Sequence, residues 1–518
     1  MTGWIMGHRS EWWICSYCDP IDPELLRYSS PPGRWVLAAT VLGSAMAGID
    51  STVVGVALPR IGRQFHAGLS QLQWISNSYT LALAGLLVLG GALGDRLGRR
   101  RLFQLGTIGF AIASLLCGLA PSAALLIAAR GLQGVAAAML VPGSLAILEA
   151  SFAPADRSRA IGAWSGLGGV AMAVGPFLGG WLIGAVSWRL VFFINLPVAV
   201  ATLAISARHV PESRDAAAAG RPLDLAGATL VSIGLVGLCY GLTEGASLGW
   251  TAPGTLWPSA AGWVFLGAFL VVEWRSRAPL IPIEVFRSRQ FTATNAVTFA
   301  VYGGLGGALF LLPVELQDAV GYSPIAAGTS LLPVTVLMLA LSARSGAVAA
   351  RIGPRAQMSL GPLLVGGGLA LLARIGPGSS YVSAVLPAVS VLGLGLAVTV
   401  APLTATALGA VPAEYSGVAS AINNDVARAA GLFAVAALPA IAGIRGYSYE
   451  HPDQLTSGFH SAVLAAAGAC GIGAVVALLS IRKSRAEERP MVAEWHCALD
   501  APAPARSAPG APDRDAAR

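Results

Sequence analysis

The sequence predicts an all-α polytopic membrane protein with fourteen transmembrane helices, arranged as two groups of six with two extra helices between them. Three observations carry this. Of the 518 residues, 55% are hydrophobic and 11% charged, against about 25% charged in soluble domains. Apolar windows of the roughly 20 residues needed to cross a ~30 Å hydrocarbon layer as a helix recur along nearly the whole chain. One charged stretch between two of these windows returns in degenerate form 255 residues later.

Taken in order, residues 1–33 are polar and aromatic and read as a tail. No cleavable leader is expected, because the first apolar run starts after them and is long enough to span. A first six-helix group, 34–207, has spans at 35–57, 71–93, 102–120, 124–147, 160–184 and 188–207. The segment 208–290 reads as an insertion with two further spans, 225–243 and 256–274. A second group, 291–482, follows with spans at 292–316, 324–345, 357–375, 380–408, 417–441 and 460–481. Residues 483–518 end in an Ala-, Pro- and Arg-rich run that reads as a disordered tail.

The formal net charge of +7 does not point to nucleic acid, because the arginines lie between helices rather than on one basic domain. They set orientation instead. With the N-terminus in the cytoplasm, 26 of the 33 basic residues fall on inner segments, and only Arg60, Arg63, Arg189, Arg374 and Arg445 fall on outer ones. The positive-inside rule therefore places both termini on the cytoplasmic side of the membrane. Arg130 and Arg428 are left within spans.

The stretch "GALGDRLGRRRLFQLG" (91–106) joins spans 2 and 3, and "GAVAARIGPRAQMSLG" (346–361) joins spans 10 and 11. Seven of sixteen positions are identical: Gly91, Ala92, Arg96, Gly98, Arg100, Leu105 and Gly106 match Gly346, Ala347, Arg351, Gly353, Arg355, Leu360 and Gly361. Asp95 becomes Ala350. A repeat at this spacing implies two homologous six-helix halves related by an axis along the membrane normal.

Further motifs follow in order: "IDSTVVGVALP" (49–59), "QWISNSYTLALA" (73–84), "RGLQG" (130–134), "GPFLGG" (175–180) and "SWRLVFFINLP" (187–197). With the repeated loop, they resemble the major facilitator superfamily, and in particular its fourteen-helix drug:proton antiporter branch of the EmrB/QacA type. The resemblance covers about 34 to 482. It implies an exporter of drugs or other amphipathic small molecules, driven by protons through alternating access, in a bacterial inner (plasma) membrane. A metabolite, lipid or siderophore exporter, or a carrier of this fold that is not an antiporter, stays open as an alternative, since fold does not fix substrate. The Gly-Pro-x-x-Gly-Gly match at Gly175, Pro176, Gly179 and Gly180 favours antiport. Members of the branch often work with a periplasmic adaptor and an outer-membrane channel. No residue here speaks for that pairing.

The motifs name candidate residues. At 1.5 Å per residue, Asp50 lies ~8 Å and Arg130 ~12 Å below the outer boundary of the hydrocarbon core. An acid and a base at similar depth, each costly in lipid unless partnered, point to Asp50 as a proton-responsive site tuned by Arg130; a purely structural ion pair is the alternative. The resemblance implies that Gly91, Asp95, Arg96, Gly98 and Arg99 form an inner-gate loop, with Asp95 held at the N-terminus of helix 13 near Ser416. Small residues along helix 5, Gly162, Gly166, Gly168, Gly169, Gly175, Gly179, Gly180 and Gly184, let backbones approach closely.

By the same resemblance helices 1, 4, 9 and 12 line the central cavity. That nominates Thr52, Gln133, Met139, Tyr302, Phe310, Thr399 and Thr404 for substrate contact. Asp425 and Arg428, three apart on helix 13, read as a self-paired couple, and Glu149, Glu244, Glu315 and Glu414 as solvated carboxylates at helix ends. Cys117, Cys239 and Cys470 read as small apolar residues. Cys15-x-x-Cys18 and the His496–Cys497 pair lie in unrelated tails, so no metal or other cofactor is expected. No nucleophile elbow, phosphate loop or soluble pair of carboxylates supports an enzyme.

Overall fold

Serine, aspartate and proline set where the helices begin. The Ser30 hydroxyl accepts from Gly33 N ahead of Pro31, Ser122 caps Leu125 N, Asp224 caps Gly227 N and Ser288 caps Phe291 N. The computed structural model describes residues 25–215, 223–276, 281–412, 415–447 and 451–482. Over these the chain runs as α1 (Pro31–Phe65), α2 (Leu69–Leu97), α3 (Arg99–Leu119), α4 (Ala123–Ser151), α5 (Pro154–Ala185) and α6 (Leu190–His209). Then come α7 (Leu225–Leu248), α8 (Pro253–Arg275) and α9 (Arg289–Val314), the last prolonged by a wide turn, Glu315–Ala319. A short lead, Pro324–Thr329, precedes α10 (Leu332–Ile352), followed by α11 (Pro354–Leu372), α12 (Tyr381–Gly409), α13 (Ser416–Ile441) and α14 (Pro452–Ser480).

All fourteen expected spans are thus helices, and thirteen of them are long and apolar enough to cross a membrane by length and composition. Most exceed their sequence-predicted bounds. A 35-residue helix such as α1 is about 52 Å long, so its polar ends extend beyond a ~30 Å core.

Packing repeats along the chain. In the first six helices α1 packs on α5 and α6, α2 on α4, and α3 on α4 and α6; in the last six α9 packs on α13 and α14, α10 on α12, and α11 on α12 and α14. The repeated loop has one geometry in both copies. Gly98 ends α2 and starts α3 at φ 116°, and Gly353 ends α10 and starts α11 at φ 87°, backbone that a Cβ would strain. The inserted helices α7 and α8 pack on each other, and α7 also on α2 and α13.

The two six-helix groups are joined at the end away from the chain termini. There Gln73 Nε2 donates to the carbonyls of Val435 (2.7 Å) and Ala436 (3.1 Å), Gln317 Nε2 to Val56 O (3.0 Å) and Tyr447 Oη to His66 O (3.3 Å). Arg63 pairs with Asp318 at 2.5 Å. Every hydrogen bond between the two groups among the described residues lies at this end. Towards the termini, Gly162, Gly166, Gly168 and Gly169 of α5 face open space. The expected close packing along the whole of helix 5 is therefore confined to its second half.

Candidate functional site

Asp50 sits in the middle of α1 and is 0% exposed. Its side chain enters the interior of the first six helices, where α3, α4 and α6 each supply a polar group. Asp50 Oδ1 accepts Gln133 Nε2 at 2.8 Å and Asn195 Nδ2 at 3.0 Å, and Oδ2 accepts Arg130 Nη1. Arg130, 1% exposed, also donates to Gln133 Oε1 (2.6 Å) and, through Nε, to Ile75 O (3.2 Å). Its guanidinium lies 4.4 Å from the Tyr79 ring centroid and 5.9 Å from that of Phe192. Ser114 Oγ closes the network, accepting Gln133 Nε2 at 2.7 Å and Asn195 Nδ2 at 3.0 Å.

Chemically this is a buried acid with three donors, one of which is its counter-charge, neutral as a whole. Such a site is stable only while its partners stay in register, because removing one leaves an uncompensated charge out of water. Asp50 and Arg130, similar in depth along their helices, are in contact. Depth alone does not point to Ser114, Asn195 or Tyr79, although "QWISNSYTLALA" contains Tyr79 and "SWRLVFFINLP" contains Asn195. Asn195→Leu should leave Asp50 Oδ1 with a single donor and lower stability by about 1–3 kcal/mol; a thermal midpoint in detergent equal to wild type would contradict the assignment.

Gln133 was expected in the substrate cavity and instead belongs to this network. Three residues beyond Arg130, it shares that residue's helix face. Phe310 and Thr399 are corrected too: both are buried in the second six helices, with Thr399 Oγ1 donating to Gly395 O at 2.7 Å. Carrying a whole helix over as cavity-lining does not say which of its faces lines the cavity. Thr52 Oγ1 is spent on the carbonyls of Ile49 (3.0 Å) and Met172 (3.2 Å), tying α1 to α5, and Met139 stands against Gly106 of α3. Tyr302 and Thr404 do share a small cavity of about 90 Å³ with Ser420, Asn423 and Asn424. Asn423 Nδ2 there bonds Asn295 Oδ1 (3.1 Å) and Thr298 Oγ1 (2.8 Å).

In the loop after α2, Asp95 accepts Arg99 Nε at 2.8 Å. Arg99 N donates to Ser213 O (3.0 Å), Arg100 N to Glu212 Oε1 (3.1 Å) and Asp215 N to Asp95 O (3.0 Å). The loop is thus fastened to the segment following α6, and Asp95 is engaged by Arg99 in place of the expected N-terminus of α13. That partner belongs to the other group of helices, and among the described residues the hydrogen bonds between the groups lie at the far end. Arg96 is exposed and Gly91 rests against Pro142. Glu212 went unnoticed in the sequence.

The Gly175-Pro176-x-x-Gly179-Gly180 stretch sits at the joined end. A Cβ on Gly175 would meet Thr52 Oγ1, one on Gly179 would meet Val53 Cγ1 at 3.0 Å, and one on Gly180 would meet the backbone of Pro324 and Ile325. Gly328 meets Pro176 O in the same way from the opposite side. This is a backbone-to-backbone contact between α5 and the lead into α10.

Asp425 and Arg428 form no ion pair; Asp425 Oδ1 is buried with no hydrogen-bond partner among the described residues. Spacing of three residues permits pairing without enforcing it. Of the carboxylates expected at the rim, Glu149 is exposed, Glu244 accepts Ser70 Oγ (2.6 Å) and Trp74 Nε1 (3.1 Å), and Glu315 is 0% exposed. Cys117, Cys239 and Cys470 are buried free thiols. Glu414, Cys15, Cys18, His496 and Cys497 lie outside the described residues.

Residues 40–436 match the family model described as Major Facilitator Superfamily. Among curated relatives, a tetracenomycin C resistance and export protein of Streptomyces glaucescens is 36% identical over 78% of this chain and 74% of its own. A puromycin resistance protein of Streptomyces alboniger is 34% identical over 90% of this chain and 96% of its own. A multidrug resistance protein of Mycobacterium tuberculosis is 36% identical over 75% and 72%. Among solved structures, a peptide transporter in complex with sulfate superposes with TM-score 0.63 at 15% identity, covering 88% of this chain and 96% of that one. A bacterial homologue of the human lysosomal transporter Spinster, inward-facing and unoccupied, gives 0.60 at 16% over 87% and 97%. These structures speak for the fold alone.

Proposed function

The chain belongs to the Major Facilitator Superfamily, and from that premise we propose that it is a proton-coupled antiporter that exports bulky amphipathic small molecules by alternating access. Its relatives are named for resistance to, or export of, tetracenomycin C, puromycin and methylenomycin A, so an export direction is the natural reading. The observation that carries the coupling is the sealed network on Asp50: an acid with its counter-ion, shut inside one half, in a molecule whose halves, taken as 34–207 and 291–482, meet at one end.

On the orientation favoured by the basic residues, with both termini in the cytoplasm, the joined end faces outward and this state opens inward. In this reading Asp50 is ionised and paired with Arg130 while the cytoplasmic side is open. When the halves rock, α1 shifts against α4, the Asp50–Arg130 contact loosens, and a carboxylate left without its cation takes a proton from outside. Return of the halves restores the pair and releases the proton inside. Substrate rides the opposite way between the halves, and the small cavity among α9, α12 and α13 of the second half, with Tyr302, Thr404 and the Asn423 amide, offers it an aromatic face and polar anchors. Gly91, Asp95, Arg96, Gly98 and Arg99 act as the inner latch, made only when the cytoplasmic side closes; the hold of Arg99 on Asp95 supports reading this state as the unlatched one.

The test is efflux of a fluorescent lipophilic cation from pump-deficient bacteria at matched expression. Wild type should lower dye accumulation, and both Asp50→Asn and protonophore treatment should restore it. Efflux by Asp50→Asn with an unchanged dependence on the proton gradient would remove Asp50 from the coupling.

A further inference from the structure

Glu315 is the acid that the transport scheme above leaves unused. It is 0% exposed, in the wide turn Glu315–Ala319 that prolongs α9. Oε1 accepts the Thr456 hydroxyl at 2.6 Å, while Oε2 is buried without a partner among the described residues. Asp50, by contrast, has three donors, one of them an arginine. An ionised carboxylate with a single neutral donor in surroundings closed to water is costly, and such groups are accommodated as the neutral acid.

Its position gives that proton a consequence. Two and three residues further along the same turn, Gln317 bonds Val56 O (3.0 Å) and Asp318 pairs with Arg63 (2.5 Å), and both are contacts between the halves. The turn is closed by i to i+5 geometry, Val320 N donating to Glu315 O at 3.0 Å, so acid and clasp residues belong to one rigid unit. When this end opens, α1 withdraws from the turn and water gains the side on which Val56 and Arg63 now stand.

We propose that Glu315 is a gating acid: it takes up a proton from the outer side when the joined end closes and returns it to the same side when that end opens. The proposal rests on the alternating-access reading above. Because the proton returns to its source, Glu315 adds nothing to the charge carried; it sets how readily the outer end opens at a given pH. A proton bound only in the closed state stabilises that state, so closure is favoured as pH falls and opening as it rises.

The surrounding charged groups do not substitute for Glu315. On α14, Asp453 is exposed in the first turn and His460 Nε2 lies 2.6 Å from Ile375 O, beyond which stands Arg374. On α1, Arg63 is taken by Asp318 and Arg60 is exposed. Tyr322 follows the turn and lies by Tyr381 in a separate apolar cavity. No ion pair to Glu315 exists among the described residues.

The experiment is amide hydrogen exchange of the full chain in lipid nanodiscs, from about pH 5 to about pH 9, corrected for intrinsic rates and followed in peptides covering 56–69 and 314–323. Wild type should exchange faster at both segments as pH rises. Glu315→Gln, which keeps the shape and the Thr456 contact, should exchange slowly and independently of pH. Thr456→Val, which removes the one donor to the carboxyl, should move the wild-type transition to higher pH. A pH response that persists in Glu315→Gln, or is missing from wild type, overturns the proposal. Proton counterflow in proteoliposomes, measured on the same proteins, separates this from the coupling reading: its absence from wild type overturns the antiport, while its presence beside an unaltered pH response in Glu315→Gln overturns the gating acid alone.

Discussion

Arg130→Met is expected to destabilise the first six helices by about 3–5 kcal/mol, because it strands the Asp50 carboxylate in a site built for an ion pair. Methionine fills the space between Tyr79 and Phe192 but offers no donor, so Asp50 is left with Gln133 and Asn195 alone. The companion variant Asp50→Asn/Arg130→Met removes both charges and should recover most of that loss, giving a coupling energy of several kcal/mol in a double-mutant cycle. The chain's 13 tryptophans allow the unfolding transition to be followed by fluorescence in detergent. If Arg130→Met unfolds at the wild-type temperature, the pair is not the charge-neutral unit described here. The double variant also separates the two roles of the pair. A purely structural couple would leave a stable, transporting protein, whereas a coupling couple leaves a stable protein that no longer moves substrate against a gradient.

How much of this was readable beforehand depended on what kind of signal each part leaves. The helices did, because twenty apolar residues in a row have few other uses, and Gly98 and Gly353 did, because a repeated glycine at a helix junction marks backbone that other residues resist. Asp50 and Arg130 stood out as charges in an oily background and could be matched by depth. Ser114 and Asn195 did not, since a neutral polar side chain inside an apolar helix looks the same whether it bonds its own backbone, as Thr107 does to Phe103 O at 2.8 Å, or completes a network. Gln133 carried a usable signal, its spacing from Arg130, which a helix-level assignment to the cavity overrode. The place of Glu315 near the end of a span suggests a rim carboxylate; the wide turn that carries α9 onward keeps it inside. The partner of Asp95 was out of reach for another reason. On the alternating-access proposal a sequence encodes both states, and a structure says which contacts are made in one of them.

The largest effect on transport is expected from Gly180→Leu. Gly180 faces the Pro324 carbonyl and Ile325 so closely that even a Cβ would overlap them, and these neighbours are backbone, which has no rotamer in which to retreat. Leucine therefore cannot be absorbed by local repacking; α5 and the lead into α10 must separate, and with them Gly328 leaves the Pro176 carbonyl. Overpacking of this kind typically costs about 1–3 kcal/mol within a fixed core. Here a cheaper escape exists, because the two surfaces belong to halves that can rock apart. The variant should then fold and insert but remain open at the joined end, with efflux lowered by up to about 100-fold, the population ratio that ~3 kcal/mol produces. Faster exchange at 56–69 at every pH, with a near wild-type thermal midpoint, would be its mark. Wild-type efflux would show that this contact is not part of the closed gate. Gly184 supplies the control: one turn further along α5 it faces open space, so Gly184→Leu should change the bulk of the helix and leave both efflux and exchange as they are.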